Sequence, residues 1–314
     1  MPHSIVVIGS LNMDFVFDVE RLPMTGETIL GRNFRTIPGG KGANQAYAAA
    51  KLAGGATEVR MLGRVGADSF GSALKENLGA VGVDVCGVLD TKNESSGVAC
   101  IHVDRTGQNS ITVAPGANGL FVPEDIGQLA GAKCVLTQLE IPIETVAQAL
   151  HEARQRAAIG ILDPAPARAL GKELLQLVDI ATPNENEACV LAGVAPNRLN
   201  PTDAIAIGQR IREMGVKSVI VKLGDQGCVY CGADQTLIVP GFAVRAVDST
   251  AAGDTFNAAL AVALVEGMGM ASDMKAALRF ANAAAAISVT RAGAQTSAPA
   301  RADVERLLGG AKLE

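Results

Sequence analysis

An acidic residue at the start of an apolar helix is the feature of this chain best suited to chemistry. Asp254 follows the small residues 249–253 and precedes the helix-forming run 258–264. We expect Asp254 in the first helical turn, beside an anion site formed by the free N–H groups of Ala252 and Gly253. The helix dipole should lower the pKa of Asp254 and keep it ionised. Such a carboxylate can take a hydroxyl proton during phosphoryl transfer, although an ordinary capped helix explains the same local sequence.

Two segments nearer the N-terminus carry polar groups that suit a polyol. Asn12 and Asp14 follow the first apolar run, where a parallel sheet binds its ligands, although an Asx turn fits equally well. Residues 38–46 form a glycine-rich loop that opens a helix and carries Lys41 and Asn44. The loop is not a Walker A motif, because Gly follows Lys41 where Ser or Thr is required.

Two segments in the second half suit a nucleotide and its metal ion. Asn184 and Glu187 stand three residues apart between a strand and a helix. That spacing allows Glu187 to hold Mg²⁺ through water, and it equally allows a capping box. Residues 223–227, Leu-Gly-Asp-Gln-Gly, form a turn at a strand end that either passes beside a nucleotide or is a plain hairpin.

The elements that must position these groups alternate between strands and helices. Apolar runs predict strands at 5–8, 59–62, 134–137, 159–162, 180–182 and 218–223. Helical patterns lie at 43–52, 69–79, 143–155, 185–193, 203–214 and 301–308. This alternation predicts an α/β fold with a doubly wound, mainly parallel sheet flanked by helices, in one domain spanning 1–314.

Two segments interrupt this alternation. Residues 13–34 predict short strands, and 97–113 predict a hairpin that turns at 104–107. Because no helix adjoins them in sequence, we expect a small antiparallel β-sheet that acts as a lid over the site. Its apolar residues need cover, so we expect a homodimer formed through the lid.

Composition excludes several classes of protein. The 314 residues carry a formal net charge of −5 and no basic cluster, which argues against nucleic acid and anionic membranes as partners. No segment resembles a signal peptide or a spanning helix, so we expect a cytoplasmic protein. Cys228 and Cys231 have C-x-x-C spacing without a second pair or a nearby His, which favours buried thiols over a zinc site.

In chain order, the motifs together resemble the ribokinase/PfkB carbohydrate kinase family over nearly the whole length. The matching segments are G-S-x-N-x-D (9–14), G-G-K-G-A-N-Q-A (39–46), G-R-V-G-A-D-S-F-G (63–71), A-P-G-A-N (114–118), N-E-N-E (184–187), L-G-x-x-G (223–227) and D-S-T-A-A-G-D-T-F (248–256). The second and last of these are specific signatures of the family. The resemblance implies ATP-dependent phosphorylation of the primary 5-hydroxyl of D-ribose, giving ribose 5-phosphate and ADP.

The resemblance also implies roles for individual residues. It makes Asp254 the catalytic base, assisted by Gly253 and Ala252. The implied sugar-binding residues are Asn12, Met13, Asp14, Gly40, Lys41, Gly42, Ala43, Asn44, Glu140 and Asp254. The implied ATP-binding residues are Asn184, Lys222, Leu223, Gly224, Asp225, Gln226, Gly227, Gly253, Asp254 and Asn282. The implied ligands of an activating K⁺ are Asp248, Thr250, Ser288, Arg291, Gly293 and Ser297, several through backbone carbonyls, while Glu187 is associated with Mg²⁺ through water.

Two departures from the family pattern and two alternative functions remain. Lys222 stands where ribokinases often carry Thr, and Ser249 replaces a frequent Thr. The alternative within the family is a kinase for 2-deoxyribose, fructose or a nucleoside. The alternative that is not an enzyme is a sugar or nucleotide sensor, which the presence of Gly253 and Asp254 disfavours.

Overall fold

The computed structural model describes residues 3–127, 129–268 and 274–310. The strands are β1 (His3–Ile8), β2 (Asn12–Asp18), β3 (Asn33–Gly39), β4 (Thr57–Gly66), β5 (Asp84–Thr91), β6 (Gly97–Val103), β7 (Asn109–Ala114), β8 (Ala132–Thr137), β9 (Ile159–Leu162), β10 (Ile180–Ala181), β11 (Ser218–Lys222), β12 (Cys228–Cys231) and β13 (Thr236–Val239). The helices are α1 (Lys41–Leu52), α2 (Ser69–Gly79), α3 (Ile143–Gln155), α4 (Lys172–Leu175), α5 (Glu185–Leu191), α6 (Pro201–Glu213), α7 (Ala252–Val265), α8 (Met274–Ser288) and α9 (Arg301–Leu308).

A large sheet forms the centre of the fold. Within the described ranges it has nine strands in the order β13-β12-β11-β10-β9-β8-β1-β4-β5, parallel from β11 to β5 and antiparallel at β12 and β13. Helices α1, α7 and α8 pack on one face, and α3, α5 and α6 pack on the other. Both faces of the large sheet are therefore shielded from solvent, which explains why β1 is a continuous apolar run rather than an alternating one. The predicted doubly wound α/β fold is confirmed.

A second, smaller sheet has the order β3-β2-β6-β7, and we call it the small sheet. Its outer pairs, β2 with β3 and β6 with β7, are antiparallel, whereas β2 and β6 at its centre run parallel. The parallel pair arises because β2 follows β1 and β6 follows β5, and β1 and β5 run in the same direction in the large sheet. The predicted hairpin is present, and β3 extends the first predicted segment to Gly39.

One helix does cover part of the small sheet, contrary to expectation. The ring of Phe15 in β2 contacts that of Phe70 in α2, with centroids 5.5 Å apart at an edge-to-face angle. Helix α2 follows β4, a strand of the large sheet, so a prediction based on neighbouring segments could not place α2 against the small sheet. Apolar residues on β3 and β7, including Phe34 and Ile111, remain more than half exposed.

Two features outside the site bear on the predicted class of protein. Cys228 and Cys231 are both buried free thiols, and burial raises the pKa of Cys228 to about 12, as expected for inert core residues. A search of the described residues finds no helix that is both long enough and apolar enough to cross a lipid bilayer.

Candidate active site

The carboxylate of Asp254 lies at the meeting point of α7 and α1. Asp254 is the third residue of α7, as predicted, and its side chain is buried. Ala251 precedes the helix with a φ of 58°, a left-handed conformation that is uncommon for a residue with a side chain. Uncommon backbone geometry of this kind concentrates at functional sites, where the surrounding packing holds it in place.

Two amides of α1 hold the Asp254 carboxylate in a single orientation. Asn44 Nδ2 donates to Oδ2 at 3.0 Å, and Gln45 Nε2 donates to Oδ1 at 3.0 Å. The carbonyl oxygen of the Asn44 side chain in turn accepts from Gln295 Nε2 at 3.2 Å. The candidate base therefore has a fixed direction before any substrate binds.

The predicted low pKa of Asp254 is wrong. Burial raises its pKa to about 6, and the negative charge of Asp163 adds to the rise. The charge of Lys41 and the bonds from Asn44 and Gln45 oppose it, but they do not outweigh the loss of solvent. The sequence argument considered only the helix dipole and not desolvation. A pKa near 6 makes Asp254 a stronger base than an exposed Asp and leaves it ionised at neutral pH.

Of the two backbone N–H groups predicted to form an anion site at the start of α7, only one is free of a hydrogen bond. The N–H of Ala252 donates to the carbonyl of Ser249 at 3.3 Å and is therefore already engaged. Within the described part of the chain, the N–H of Gly253 makes no hydrogen bond. Gly253 thus supplies the free donor next to the base, and Ala252 shapes the turn that presents it.

On the side of the small sheet, acidic groups surround Lys41. Glu140 Oε2 accepts from the Lys41 N–H at 3.1 Å and from Ser10 Oγ at 2.5 Å. Burial, then the charges of Glu140 and Asp254, raises the pKa of Asp14 to about 7. Burial alone would lower the pKa of Lys41, but the neighbouring carboxylates raise it above its usual range. These groups offer acceptors and one ammonium donor, the combination that recognises vicinal hydroxyls.

Close backbone packing brings this acidic cluster together. Gly40 has a φ of 87°, and a Cβ there would lie 2.7 Å from the N atom of Asn12. A Cβ on Gly42 would lie 2.7 Å from the carbonyl carbon of Gly9. Only glycine lets α1 start this close to the ends of β1 and β2.

Three of the predicted sugar-binding residues do not present side chains to the site. Met13 and Ala43 belong to the hydrophobic core, and Gly42 packs against the backbone of β1's end. Asn12 is buried, and its side-chain oxygen accepts from Asn118 Nδ2 at 2.8 Å. Glu140 lies three residues beyond β8, which ends at Thr137.

A cavity of about 1440 Å³ opens beside Asp254 and is also lined by Lys41. Its lining includes most of the predicted nucleotide-binding residues: Asn184, Lys222, Gly224, Asp225, Gln226, Gly227, Gly253, Asp254 and Asn282. Leu223 is the exception. Its side chain is buried in the core and its N–H donates to Gly227, so it supports the turn rather than facing the cavity.

Asn184 and Glu187 form the capping box that the sequence left open as an alternative to metal binding. Asn184 N–H and Nδ2 each donate to a carboxylate oxygen of Glu187 at 2.8 Å. Glu187 N–H donates back to Asn184 Oδ1 at 2.9 Å. Because Glu187 also lines the cavity, its engaged carboxylate suits a contact to Mg²⁺ through water better than direct ligation. The described residues contain no cluster of three or more His, Cys, Asp or Glu side chains able to hold a metal ion directly.

The predicted cation ligands are only partly brought together. Asp248 accepts the N–H of Thr250 and that of Gly293, each at 2.9 Å, and these bonds hold its pKa below the usual range despite partial burial. An ionised carboxylate tying two loops together fits a monovalent cation. Arg291, however, directs its guanidinium to Asp303, so only its backbone is available as a ligand. The hydroxyls of Ser288 and Ser297 each donate to a carbonyl three residues earlier.

Sequence reasoning missed three buried polar residues of the site. Asp163 Oδ1 accepts from Lys222 Nζ at 3.1 Å, and Asp163 Oδ2 accepts from Gln45 Nε2 at 3.1 Å. Gln138 Nε2 donates to Gln45 Oε1 at 2.7 Å. Gln138 directly follows β8 and Asp163 directly follows β9, both parallel strands. Because ligands bind at the carboxyl ends of parallel strands, that position in the sequence could have indicated both residues.

The site combines a buried carboxylate and a free N–H at a helix start, both lining a large cavity, with nearby charged groups. This is the arrangement expected of a phosphotransferase site. The comparisons with known proteins agree. A model of the pfkB family carbohydrate kinases matches residues 2–301, and the chain belongs to that family. It is therefore an enzyme that transfers a phosphoryl group to an alcohol.

Individual relatives are similar over their full length. The chain is 42% identical over 310 residues to a ribokinase of Bacillus subtilis, covering 98% of this chain and 99% of that one. It is 37% identical over 301 residues to a deoxyribokinase of Salmonella typhimurium, covering 94% and 95%. The structure of Arabidopsis thaliana ribokinase complexed with ribose and ATP matches with a TM-score of 0.88 at 36% identity and covers 99% of both chains.

Proposed function

We propose that this enzyme is an ATP-dependent ribokinase that converts D-ribose and ATP to ribose 5-phosphate and ADP. The observation that carries the proposal is that Asp254 and Lys41 both line the large cavity, while Asp14 and Glu140 lie close enough to interact with them electrostatically. The similarity to a ribokinase and to a structure with ribose and ATP supports the choice of substrates.

The proposed reaction uses these groups with little covalent chemistry. Asp254 accepts the proton of the 5-hydroxyl as the oxygen attacks the γ-phosphoryl group, and the leaving group is ADP. The N–H of Gly253 stabilises the charge that develops on the transferred group. Asp14, Lys41 and Glu140 hold the other hydroxyls, while the small sheet closes over the sugar and excludes water as a competing acceptor.

The test is ATP consumption with a panel of pentoses, hexoses and nucleosides. Ribose should give the highest kcat/KM, and 2-deoxyribose should follow it. The deoxyribokinase relative makes 2-deoxyribose the leading alternative substrate. A higher kcat/KM on 2-deoxyribose, fructose or a nucleoside would assign the enzyme to that substrate, and no ATP consumption with any of them would point to a sensor.

ATP-dependent kinases of this kind use Mg²⁺ with the nucleotide, and we propose that Glu187 contacts it through water. Bound Mg²⁺ would neutralise phosphate charge. We also propose a K⁺ site at Asp248, Thr250, Ser288, Gly293, Ser297 and the Arg291 carbonyl. Replacing Na⁺ with K⁺ at constant Mg²⁺ should raise the rate severalfold, because an ion in these loops would order the start of α7. Equal rates in the two salts would argue against the site.

We further propose that the chain works as one unit whose small sheet is both the lid and a homodimer contact. Ile111 and Val113 of β7 are 54% and 42% exposed and, being two residues apart, lie on the same face of the small sheet, an apolar surface that a second copy could cover. A site for ATP and six free thiols favour the cytoplasm as the location.

A further inference from the structure

A buried ion pair spans the end of the large sheet beside the site, and the proposed reaction has not used it. Lys222 Nζ lies 3.1 Å from Asp163 Oδ1, and the two side chains are 13% and 4% exposed. Lys222 ends β11 and Asp163 directly follows β9, so the pair crosses the end of the intervening strand β10. Both residues line the large cavity.

The ammonium of this pair lies against the start of α7. A Cβ added to Gly253 would lie 3.2 Å from Lys222 Nζ, nearer than any other atom. The free N–H of Gly253 and the Lys222 ammonium therefore face the same small volume. A phosphoryl group in that volume would meet a backbone donor and a full positive charge.

The carboxylate of the pair is also connected to the base. Gln45 Nε2 donates to Asp163 Oδ2 at 3.1 Å and to Asp254 Oδ1 at 3.0 Å, so one amide bridges two carboxylates. Gln45 Oε1 accepts from Gln138, which fixes the orientation of the amide. Asp163 is thus held from one side and can hold Lys222 on the other.

The charge balance explains why the two residues belong together. Without Lys222, the buried carboxylate of Asp163 would face the cavity unpaired and would repel a nucleotide phosphate. Without Asp163, the long Lys222 side chain would lose the partner that keeps it beside Gly253.

We propose that Lys222 binds the γ-phosphoryl group of ATP, and that Asp163 is a positioning residue that holds Lys222 against the start of α7. The identity of the nucleotide rests on the proposed function. Since the transferred group must lie next to Asp254, the phosphate nearest Gly253 is the γ-phosphate. Lys222 should therefore distinguish triphosphates from diphosphates.

The experiment measures nucleotide binding by calorimetry in the absence of sugar, with ADP and with an ATP analogue whose β–γ bridge is nitrogen. Lys222→Thr should weaken binding of the analogue by about 10- to 100-fold, the usual worth of a charged hydrogen bond, and binding of ADP by less than about threefold. Lys222→Arg keeps the charge and should keep most of the preference for the triphosphate. The double variant with Asp163→Asn should bind the analogue better than Lys222→Thr alone, because the negative charge of Asp163, which lost its direct partner, is removed as well.

Lys217→Thr is the matched control. Lys217 directly precedes β11 and pairs with Asp179, but its side chain is 62% exposed and it does not line the cavity. Its replacement should leave both affinities unchanged. Equal losses for ADP and the analogue in Lys222→Thr, or unchanged affinities with a lower Tm, would overturn the proposal and make the pair a structural one. Failure of the unmodified enzyme to bind either nucleotide would instead overturn the proposed function.

Discussion

At the scale of single residues, the proposed base Asp254 owes its direction and its pKa to its neighbours more than to its helix. Asn44 and Gln45 fix its direction, and burial sets its basicity. Asp254→Asn keeps the size of the side chain and one of its two acceptor oxygens, but it removes the proton acceptor. We expect turnover to fall by about 10²–10⁴-fold, while the affinities for ribose and nucleotide change little. Steady-state rates combined with calorimetric binding would check this. Near-normal turnover in the variant would contradict the proposal that Asp254 is the catalytic base.

The same residue predicts how activity depends on pH. In their proposed roles, Asp254 must be ionised to accept a proton, and ionised Asp14 accepts hydrogen bonds from the sugar more strongly than the protonated acid does. Their pKa values are about 6 and about 7, so kcat/KM for ribose, which reports the free enzyme, should fall as the pH drops from 8 to 5. With ordinary Asp residues, kcat/KM would stay nearly level down to a pH of about 5 and would fall only near pH 4.

The charged groups that face Asp254 are Lys41, Asp163 and Asp14. Asp14→Asn should remove the step near pH 7 and shift the remaining step to or below pH 6, because one negative charge is lost. A pH profile of this variant that matched the unmodified enzyme would show that Asp14 does not titrate in this range.

At the scale of elements, the start of α1 depends on how closely it approaches β1. Gly42→Ala would place a Cβ 2.7 Å from two backbone atoms, which cannot rotate away. We expect the free energy of unfolding to fall by about 1–3 kcal/mol and turnover to fall as well, because α1 carries the partners of the base. Gly79→Ala in α2 is the control, since nothing lies within 4 Å of its Cβ, and it should be neutral or stabilising by up to about 1 kcal/mol. Urea denaturation of both variants would measure the difference.

Helices and strands with a strong local pattern were predictable from the sequence. The bounds of α2, α3 and α9 were predicted to the residue, because apolar periodicity changes sharply at their ends. Strand β5 was not predicted, since only two of its eight residues are buried and its pattern is weakly apolar. The parallel pairing of β2 with β6 depends on the large sheet, which no local pattern encodes.

Contacts within the candidate site were predictable where both residues belong to one short motif. They were not predictable where the two residues are distant in sequence and meet only in the fold. Asn184 and Glu187 stand three residues apart, and their contact was anticipated. Gln45 and Asp254 are separated by 209 residues, and although Gln45 lies within the segment 39–46, no local spacing relates it to Asp254. The raised pKa of Asp254 also depended on burial by distant segments.

At the scale of the whole molecule, the exposed apolar face of the small sheet is where a second copy should bind. Ile111→Lys places a charge on that face, and we expect it to convert a dimer into a monomer of about 32.1 kDa. Ile238→Lys is the matched control, because Ile238 is 53% exposed on β13, at the far edge of the large sheet. Light scattering at micromolar concentration would distinguish the two. A monomeric unmodified enzyme with full activity would contradict the dimer proposal.

The first turn of α1 also bears on how enzymes of this design can diverge. Lys41 faces the acidic cluster, while Asn44 and Gln45 hold the base, so a single turn serves both acceptor recognition and chemistry. A mutation there that suits a new sugar also disturbs proton transfer. Strand β2 carries Asp14 but no residue that hydrogen-bonds to the Asp254 carboxylate. Under laboratory selection for a different acceptor, adaptive changes should therefore accumulate in β2 and the rest of the small sheet, and α1 should stay unchanged.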